Sequence, residues 1–311
     1  MNIYHNLDSI QRLDNAVVTS GTFDGVHIGH KKILSRLKEL SEQSGGETLV
    51  LTFWPHPRTV VSENGQTLQL LSTIEEKIEL FARLGINHLA IIPFTRSFSE
   101  LTSNEFIQQV LVDKIGTKKL VIGYDHRFGK NREGSFEFLK DNCSQYGFEV
   151  EEIPRQDIED LAISSSRIRT ALLTGQIEEA NELLGRPYTI SGNVVKGKQL
   201  GRTLGFPTAN VHPDESYKLI PQNGVYVVRA NYKGGVFNGM LNIGTRPTVD
   251  GTSKTIEANL FDFDREIYGE NVQLELLHYL RPEQKFDGLP ELMEQIKRDK
   301  QAALEYFTRH A

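Results

Sequence analysis

The chain contains a single cysteine, Cys143, and a single tryptophan among 311 residues. One thiol excludes an internal disulfide and any cysteine-rich zinc site, and it suits a reducing, cytoplasmic setting. Positive charge is also short, with 35 Lys and Arg against 41 Asp and Glu for a formal net charge of −6. Neutralising a nucleic-acid backbone needs the opposite surplus, so no nucleic-acid partner is expected and small-molecule partners are favoured. No apolar run approaches the roughly 20 residues that span a bilayer. The opening Met1-Asn2-Ile3-Tyr4-His5-Asn6-Leu7-Asp8 lacks the basic start and apolar stretch of a secretion signal. Internal repeats and low-complexity tracts are absent, and an oligomer is allowed but not indicated. What remains is globular composition, 38% hydrophobic and 24% charged, in a chain of 311 residues. Single cores stop growing at about 250–300 residues, so two domains are expected.

From Ala16 to Ile153, short β-branched runs alternate with longer amphipathic stretches, the pattern of βαβ units around a parallel sheet. The runs Ala16–Ser20, Thr48–Phe53, His88–Phe94, Lys119–Gly123 and Glu149–Ile153 read as strands buried on both faces. Ile28–Ser44, Ile74–Leu84, Asn104–Ile115 and Ser135–Tyr146 carry apolar residues at helical spacing, and Ser164–Leu184 does the same between the halves. After about Arg186 the rhythm becomes antiparallel. Tyr188–Val195, Val225–Tyr232, Gly235–Ile243, Thr255–Leu260 and Val272–Leu280 alternate apolar with polar residues between Gly, Pro and Asn turns, which predicts a barrel or sandwich. A final amphipathic helix, Leu289–Phe307, places Leu292, Ile296, Ala303, Leu304 and Phe307 on one stripe and is expected to plug one side of the barrel.

Gly21-Thr22-Phe23-Asp24-Gly25-Val26-His27-Ile28-Gly29-His30 follows the first strand and opens the first helix. Its glycines allow a tight turn and close backbone approach, while the helix N-terminus offers free N–H groups to an anion. His27 and His30 lie three apart, share a face, and can both donate to phosphate oxygens. A pair of merely capping histidines is the bland alternative. Zinc is disfavoured, because two nitrogens are too few and no third ligand is suitably spaced.

This decapeptide resembles the HxGH nucleotidyltransferases, and in its full GxFDGxHxGH form the FMN adenylyltransferase domain of bacterial FAD synthetases. Four more segments resemble that family in order: Thr52-Phe53-Trp54-Pro55-His56-Pro57, Leu71-Ser72-Thr73-Ile74-Glu75-Glu76-Lys77, Gly123-Tyr124-Asp125-His126-Arg127-Phe128-Gly129 and Ile163-Ser164-Ser165-Ser166-Arg167-Ile168-Arg169. The resemblance implies ATP binding by Gly21, Phe23, Asp24, Gly25 and Gly29, with Ser165 and Ser166 as a second clamp. Adenylyl transfer needs positioned positive donors and Mg²⁺ rather than a protein nucleophile, and His27, His30 and Arg169 fit that task. Asp125 is either a ligand of metal or a substrate hydroxyl, or a solvated loop aspartate. Phe53, Pro57 and Phe128 are either a wall for the flavin or core. His126 stands where the family usually has Phe, and Ser166 where it has Thr.

Gly192-Asn193-Val194-Val195-Lys196-Gly197-Lys198-Gln199 nearly spells a P-loop, but Gln199 replaces the hydroxyl residue that must reach Mg²⁺ and no helix follows. The longer string from Gly192 through Gly201, Gly205 and Pro207 to Asn210 instead resembles the riboflavin kinase motif GxVxxGxxxGRxLGFPTAN. That resemblance implies phosphate wrapping by Gly197, Gly201 and Gly205, and ATP and Mg²⁺ binding by Thr208 and Asn210. Gly224-Val225-Tyr226, Asn242 to Thr248 and Leu280 to Phe286 also look like that family, and Arg281 is assigned to the flavin. Glu257 is the candidate general base, a carboxylate facing a barrel mouth that removes the hydroxyl proton. Asn259 stands where the family commonly has His.

Together the resemblances imply an α/β Rossmann-like nucleotidyltransferase domain over a parallel sheet (1–160), a helical connection (161–185) and a Greek-key antiparallel β-barrel riboflavin kinase domain with a C-terminal helix (186–311). The implied chemistry is riboflavin to FMN with ATP and Mg²⁺, then FMN to FAD with release of pyrophosphate. The rivals are a riboflavin kinase with a weakened adenylyltransferase site, and a flavin-binding regulator that has lost its chemistry.

Overall fold

A computed structural model describes residues 1–61, 68–153, 163–197, 201, 204–248 and 251–310, with 247–248 and 251–253 as backbone only. The expected boundary at 160/161 and the motif residues Lys198, Gln199, Leu200, Arg202 and Thr203 lie outside the described residues. Two compact units emerge, Met1–Ser165 and Ser166–Ala311.

The first unit is a six-stranded sheet in the order β1-β4-β3-β2-β5-β6, every neighbouring pair parallel. The strands are β1 Asn2–Tyr4, β2 Ala16–Ser20, β3 Glu47–Trp54, β4 His88–Pro93, β5 Thr117–Gly123 and β6 Glu149–Ile153. Helices α1 Ile28–Ser44, α2 Ile74–Arg83 and α3 Phe136–Tyr146 lie where their periodicity predicts. Thr73 and Glu76 close a capping box on α2, each accepting the other's backbone N–H. Strand order reverses about β2, so the loops after β2 and β5 open on the crevice where such sheets collect ligands.

Two expectations for this unit change, and one strand was not foreseen. The stretch Asn104–Ile115 is one short α-turn, Ser103–Glu105, followed by a π-helix, Phe106–Ile115. Its buried residues Phe106, Ile107, Val110, Leu111 and Ile115 pack into the core of the sheet, and their spacings of three to five fit either helical turn. Strand β6, an edge of the sheet, is not buried on both faces: only Ile153 is buried, Val150, Glu151 and Glu152 are half-buried, and Glu149 is exposed. Strand β1 has too few residues for any period to register.

The second unit begins with α4 Ser165–Leu173, whose first residue falls in unit one, and α5 Ile177–Leu184. A closed barrel follows in the order β10-β11-β8-β7-β12-β9. Its strands are β7 Tyr188–Val195, β8 Ala209–Pro213, β9 Gly224–Tyr232, β10 Gly235–Thr248, β11 Gly251–Leu260 and β12 Asn271–Arg281. Three hairpin-linked strands, β9, β10 and β11, with β12 returning beside β9, make a Greek key. The β9–β10 hairpin turns on Lys233 and Gly234 at φ 45° and 79°, the primed turn that matches strand twist. Strand β8, ending in Pro213, shows no alternation and was not expected.

The terminal helix α6, Leu289–Arg309, lies along the outer wall of the barrel rather than plugging it. Ala303, Ile296, Tyr306 and Phe307 pack on Val227, Met240 and Phe261. Leu304 is 40% exposed, so Tyr306 takes the stripe position expected for it.

Candidate active sites

In the first unit, the loop between β2 and α1 crosses itself tightly. Phe23 and Val26 sit at φ 47° and 40°, a region that β-branched side chains avoid, with Gly25 at 84° between them. A neighbouring segment holds this conformation. The Asp24 carboxylate, 1% exposed, accepts the backbone N–H groups of Leu71 and Ser72 at 2.9 and 3.3 Å. Ser72 Oγ accepts the Gly25 N–H at 3.0 Å, and Ser165 Oγ donates to the Asp24 carbonyl at 3.0 Å. Asp24 is therefore occupied in shaping the loop, and Ser165 is tied to the same loop.

His27 caps α1, its Nδ1 accepting the His30 N–H at 3.4 Å, and the two imidazoles stack at 3.6 Å between centroids. An acceptor at Nδ1 puts the His27 proton on Nε2, so capping and donation to a ligand coexist. His30 Nδ1 is buried without a hydrogen-bond partner among the described residues, a position tolerable for a lone pair and costly for an N–H. Burial first, then His27 and Lys77, push the His30 pKa well below its ordinary value. The pair thus presents two stacked rings at the N-terminus of α1, with His30 held towards its neutral form. Phe23 meets His30 edge-on at 5.2 Å, Gly29 is buried in the first helical turn, and Gly21 donates its N–H to Leu51 at 3.0 Å.

The expected flavin wall is an aromatic cluster. Phe53 contacts Phe94 and Phe98, while Phe128, 8% exposed, packs on Phe106 and Phe138 within the core. Pro57 is half-buried at the start of a short helix, Pro57–Val61, and Asp125 is exposed. His126 bridges the two loops of the crevice: Nε2 lies 3.2 Å from Ser20 Oγ and the ring stacks on Phe128 at 5.8 Å, the kind of packing a phenylalanine supplies.

Burial first, then Arg132, pushes His126 from 6.5 down to about 4. The folded chain keeps this ring neutral while the unfolded chain takes a proton below about pH 6.5, so its contribution to stability is complete above 6.5 and is lost as pH falls towards 4. His126→Phe is expected to retain FAD formation and to lower the acid sensitivity of the melting temperature between pH 7 and 5. Calorimetry showing the same acid sensitivity in both proteins would contradict this.

Ser166 is exposed and Arg169 half-buried on α4, both in the second unit.

In the barrel, one cross-strand row carries the kinase candidates. Glu257 on β11 lies opposite Asn210 on β8 and Asn242 on β10; Asn242 lies opposite Val225, and Val225 opposite Arg281 on β12. Ile256 and Ala258, on either side of Glu257, are buried with Leu241 and Ile243 on the inward face. Glu257 therefore points out from the barrel rather than into it, since period-two alternation leaves it no inward option, and its row runs through the ends of β8, β9 and β12. Its Oε1 accepts from Arg246 Nη2 at 3.1 Å.

Glycines bring the loop onto this row. A Cβ on Gly197 would stand 2.4 Å from Asn210 Nδ2, and one on Gly201 would stand 2.3 Å from the Phe206 carbonyl and 3.3 Å from Thr208 Oγ1. Gly205 turns at φ 79°. Asn259, 6% exposed, donates from Nδ2 to the Pro207 carbonyl at 2.7 Å and so fixes the turn ahead of Thr208. Thr208 also lines a small cavity of about 70 Å³ with Ala258, Leu260, Phe263 and Tyr268. Arg281 is committed elsewhere: its guanidinium forms a fork with Asp299 of α6 at 2.8 and 2.7 Å, pinning the helix to β12. Asn242, Arg246 and Lys77 escaped notice in the sequence although each lies within a quoted motif, because no spacing rule connects them to chemistry.

Comparison with known proteins agrees with both units. The FAD synthetase family matches residues 9–167 and the riboflavin kinase family residues 184–307. The bifunctional riboflavin kinase/FMN adenylyltransferase of Bacillus subtilis (strain 168) is 40% identical over 94% of this chain and 93% of its own. That of Escherichia coli (strain K12) is 38% identical over 97% and 96%. A crystal structure named as a macrolide-efflux protein from Streptococcus pneumoniae superposes with TM-score 0.89 and 32% identity, covering 97% of both chains. Among the described residues no helix is long and apolar enough to cross a membrane. Two family regions in this order, with full-length relatives well above 30% identity, place the chain in the bifunctional riboflavin kinase/FMN adenylyltransferase family.

Proposed function

We propose that the chain phosphorylates riboflavin to FMN in its second unit and adenylylates FMN to FAD, releasing pyrophosphate, in its first. The observation that carries this reading is the separation of two sets of polar groups, a stacked histidine pair at a helix N-terminus in one unit and an Asn210–Glu257–Asn242 row in the other. ATP is the co-substrate of both steps. In the kinase the Glu257 carboxylate takes the proton of the ribityl hydroxyl as it attacks the γ-phosphorus, while the glycine loop wraps the phosphates. Among the described residues no cluster of three acidic, His or Cys side chains could cage a metal. The donor set suits Mg²⁺, which keeps its waters and leans on substrate phosphates, with the Thr208 hydroxyl and Asn210 amide oxygen to hold it. When bound, it neutralises phosphate charge. In the first unit His27 and His30 donate to phosphate oxygens as FMN attacks the α-phosphorus and pyrophosphate leaves, and Ser165 braces the loop that carries them. His126, packed as an aromatic ring, gives no support to a crippled adenylyltransferase. Incubating the purified protein with riboflavin and MgATP, and following FMN and FAD over time, tests the whole reading; FMN without FAD would refute half of it.

The units are expected to work apart. A fragment beginning at Ser166 should make FMN and no FAD. A fragment beginning at Arg186 should fail to fold stably, because it removes α5, whose Ile177, Leu183 and Leu184 are buried and whose Asn181 donates to the Leu276 carbonyl at 2.8 Å. Three such side chains are worth about 1.5–3 kcal/mol each, against about 5–15 kcal/mol for a whole domain. Circular dichroism melts and FMN assays on both fragments check this, and an equally stable, active shorter fragment would contradict it.

A further inference from the structure

Lys77 is 1% exposed in the first turn and a half of α2, and no motif rule gives it a task. Its Nζ donates to the Thr22 carbonyl at 3.2 Å, at the entry to the strained β2–α1 loop, and the buried Asp24 carboxylate lies within electrostatic reach. A methionine would fill the same volume without desolvating an ammonium, so the buried charge is retained against a cost. The loop it touches needs bracing, because left-handed Phe23 and Val26 persist only where the surroundings over-determine them. One short segment supplies three braces: the Leu71 and Ser72 amides on Asp24, the Ser72 hydroxyl on Gly25, and Lys77 on Thr22.

We propose that Lys77 is a positioning residue for adenylyl transfer, its buried ammonium bracing the Thr22 carbonyl and setting the electrostatic surroundings of the His27–His30 pair. This rests on the assignment of adenylyl transfer to the first unit. Among the described residues, the charged groups acting on His30 are His27 and Lys77, and Asp24 acts in turn on Lys77. Burial is the largest cause of the depressed His30 pKa, and Lys77 adds to it, so the ammonium favours the neutral imidazole that donates through Nε2. Burial also lowers the Lys77 pKa, and Asp24 opposes that shift. Asp24 therefore serves twice, as a brace of the loop and as counter-charge to the lysine.

Full-length K77M, K77Q and K77R test this with two readouts. K77M loses donor and charge, K77Q keeps a donor alone, and K77R keeps both. With FMN and MgATP, K77M is expected to lower kcat for FAD formation by about 10²-fold, the cost of a small misplacement at a reacting centre, with KM values changed by no more than about threefold. FMN formation from riboflavin should be unaltered. By NMR titration of the imidazole ring, His30 should move towards its ordinary pKa in K77M and K77Q and stay depressed in K77R. An FAD kcat within about twofold of the parent, an unmoved His30 titration in K77M, or a rise in KM alone would overturn the proposal. If K77M does not fold, the K77Q and K77R pair carries the same comparison. A parent protein that makes no FAD would overturn the adenylyltransferase assignment instead, while the His30 titration would still decide whether Lys77 governs that ring.

Discussion

Replacing Glu257 with Gln is expected to lower kcat for riboflavin phosphorylation by about 10²–10⁴, with little change in KM and with adenylylation of supplied FMN intact. The substitution is nearly isosteric, and its amide oxygen can still accept from Arg246 as Glu257 Oε1 does at 3.1 Å. Packing of the row is preserved as well, since the buried neighbours Ile256 and Ala258 point the other way. What disappears is the ability to take a proton. A carboxylate that served only to pair with Arg246 would behave differently: the pair is partly exposed, at 27% and 40% for the two side chains, and such pairs contribute little. Its loss would then show as a small change in melting temperature and an unaltered kcat. Steady-state kinetics beside a thermal melt separate the two outcomes, and an unchanged kinase kcat removes Glu257 from the chemistry.

Alanine in place of His27 or His30 is expected to reduce FAD formation by about 10²-fold or more, the usual effect of deleting an electrostatic donor at a transition state, while FMN formation stays near normal. The two positions differ in what else they lose. His27 also caps α1, so His27→Ala should lower the stability of the first unit by about 0.5–2 kcal/mol, and His27→Asn should recover the cap without the imidazole. His30 caps nothing, but its ring stacks on His27 and meets Phe23 edge-on, so His30→Ala should cost about 0.5–3 kcal/mol through lost packing while FAD formation falls and FMN formation is kept. Parallel loss of both activities in either variant would assign the histidines to folding.

Much of this protein was legible before any coordinates. The strands Ala16–Ser20 and Glu149–Ile153 and the helix Ile28–Ser44 fall where local periodicity places them. The glycine-rich strings, through their resemblance to two enzyme families, pointed to the two regions that the family comparisons match, 9–167 and 184–307. What stayed hidden depends on neighbours distant in sequence. The π-helix at Phe106–Ile115 and the short edge strand β1 are settled by packing against the sheet. Asp24 could be read as a ligand until its carboxylate was seen to accept the amides of Leu71 and Ser72, 47 and 48 residues away. Arg281 and Asp299 form their fork 18 residues apart across a strand and a helix. The sequence by itself determined the two-part organisation and, through motifs that resemble two enzyme families, the pair of activities, because a glycine-rich string is local and can be read without its neighbours. Only the tertiary structure decided that Glu257 points out from the barrel beside Asn210 and Asn242, and that Lys77 is buried against the histidine loop, because cross-strand register and helix docking are fixed by contacts that no local spacing records.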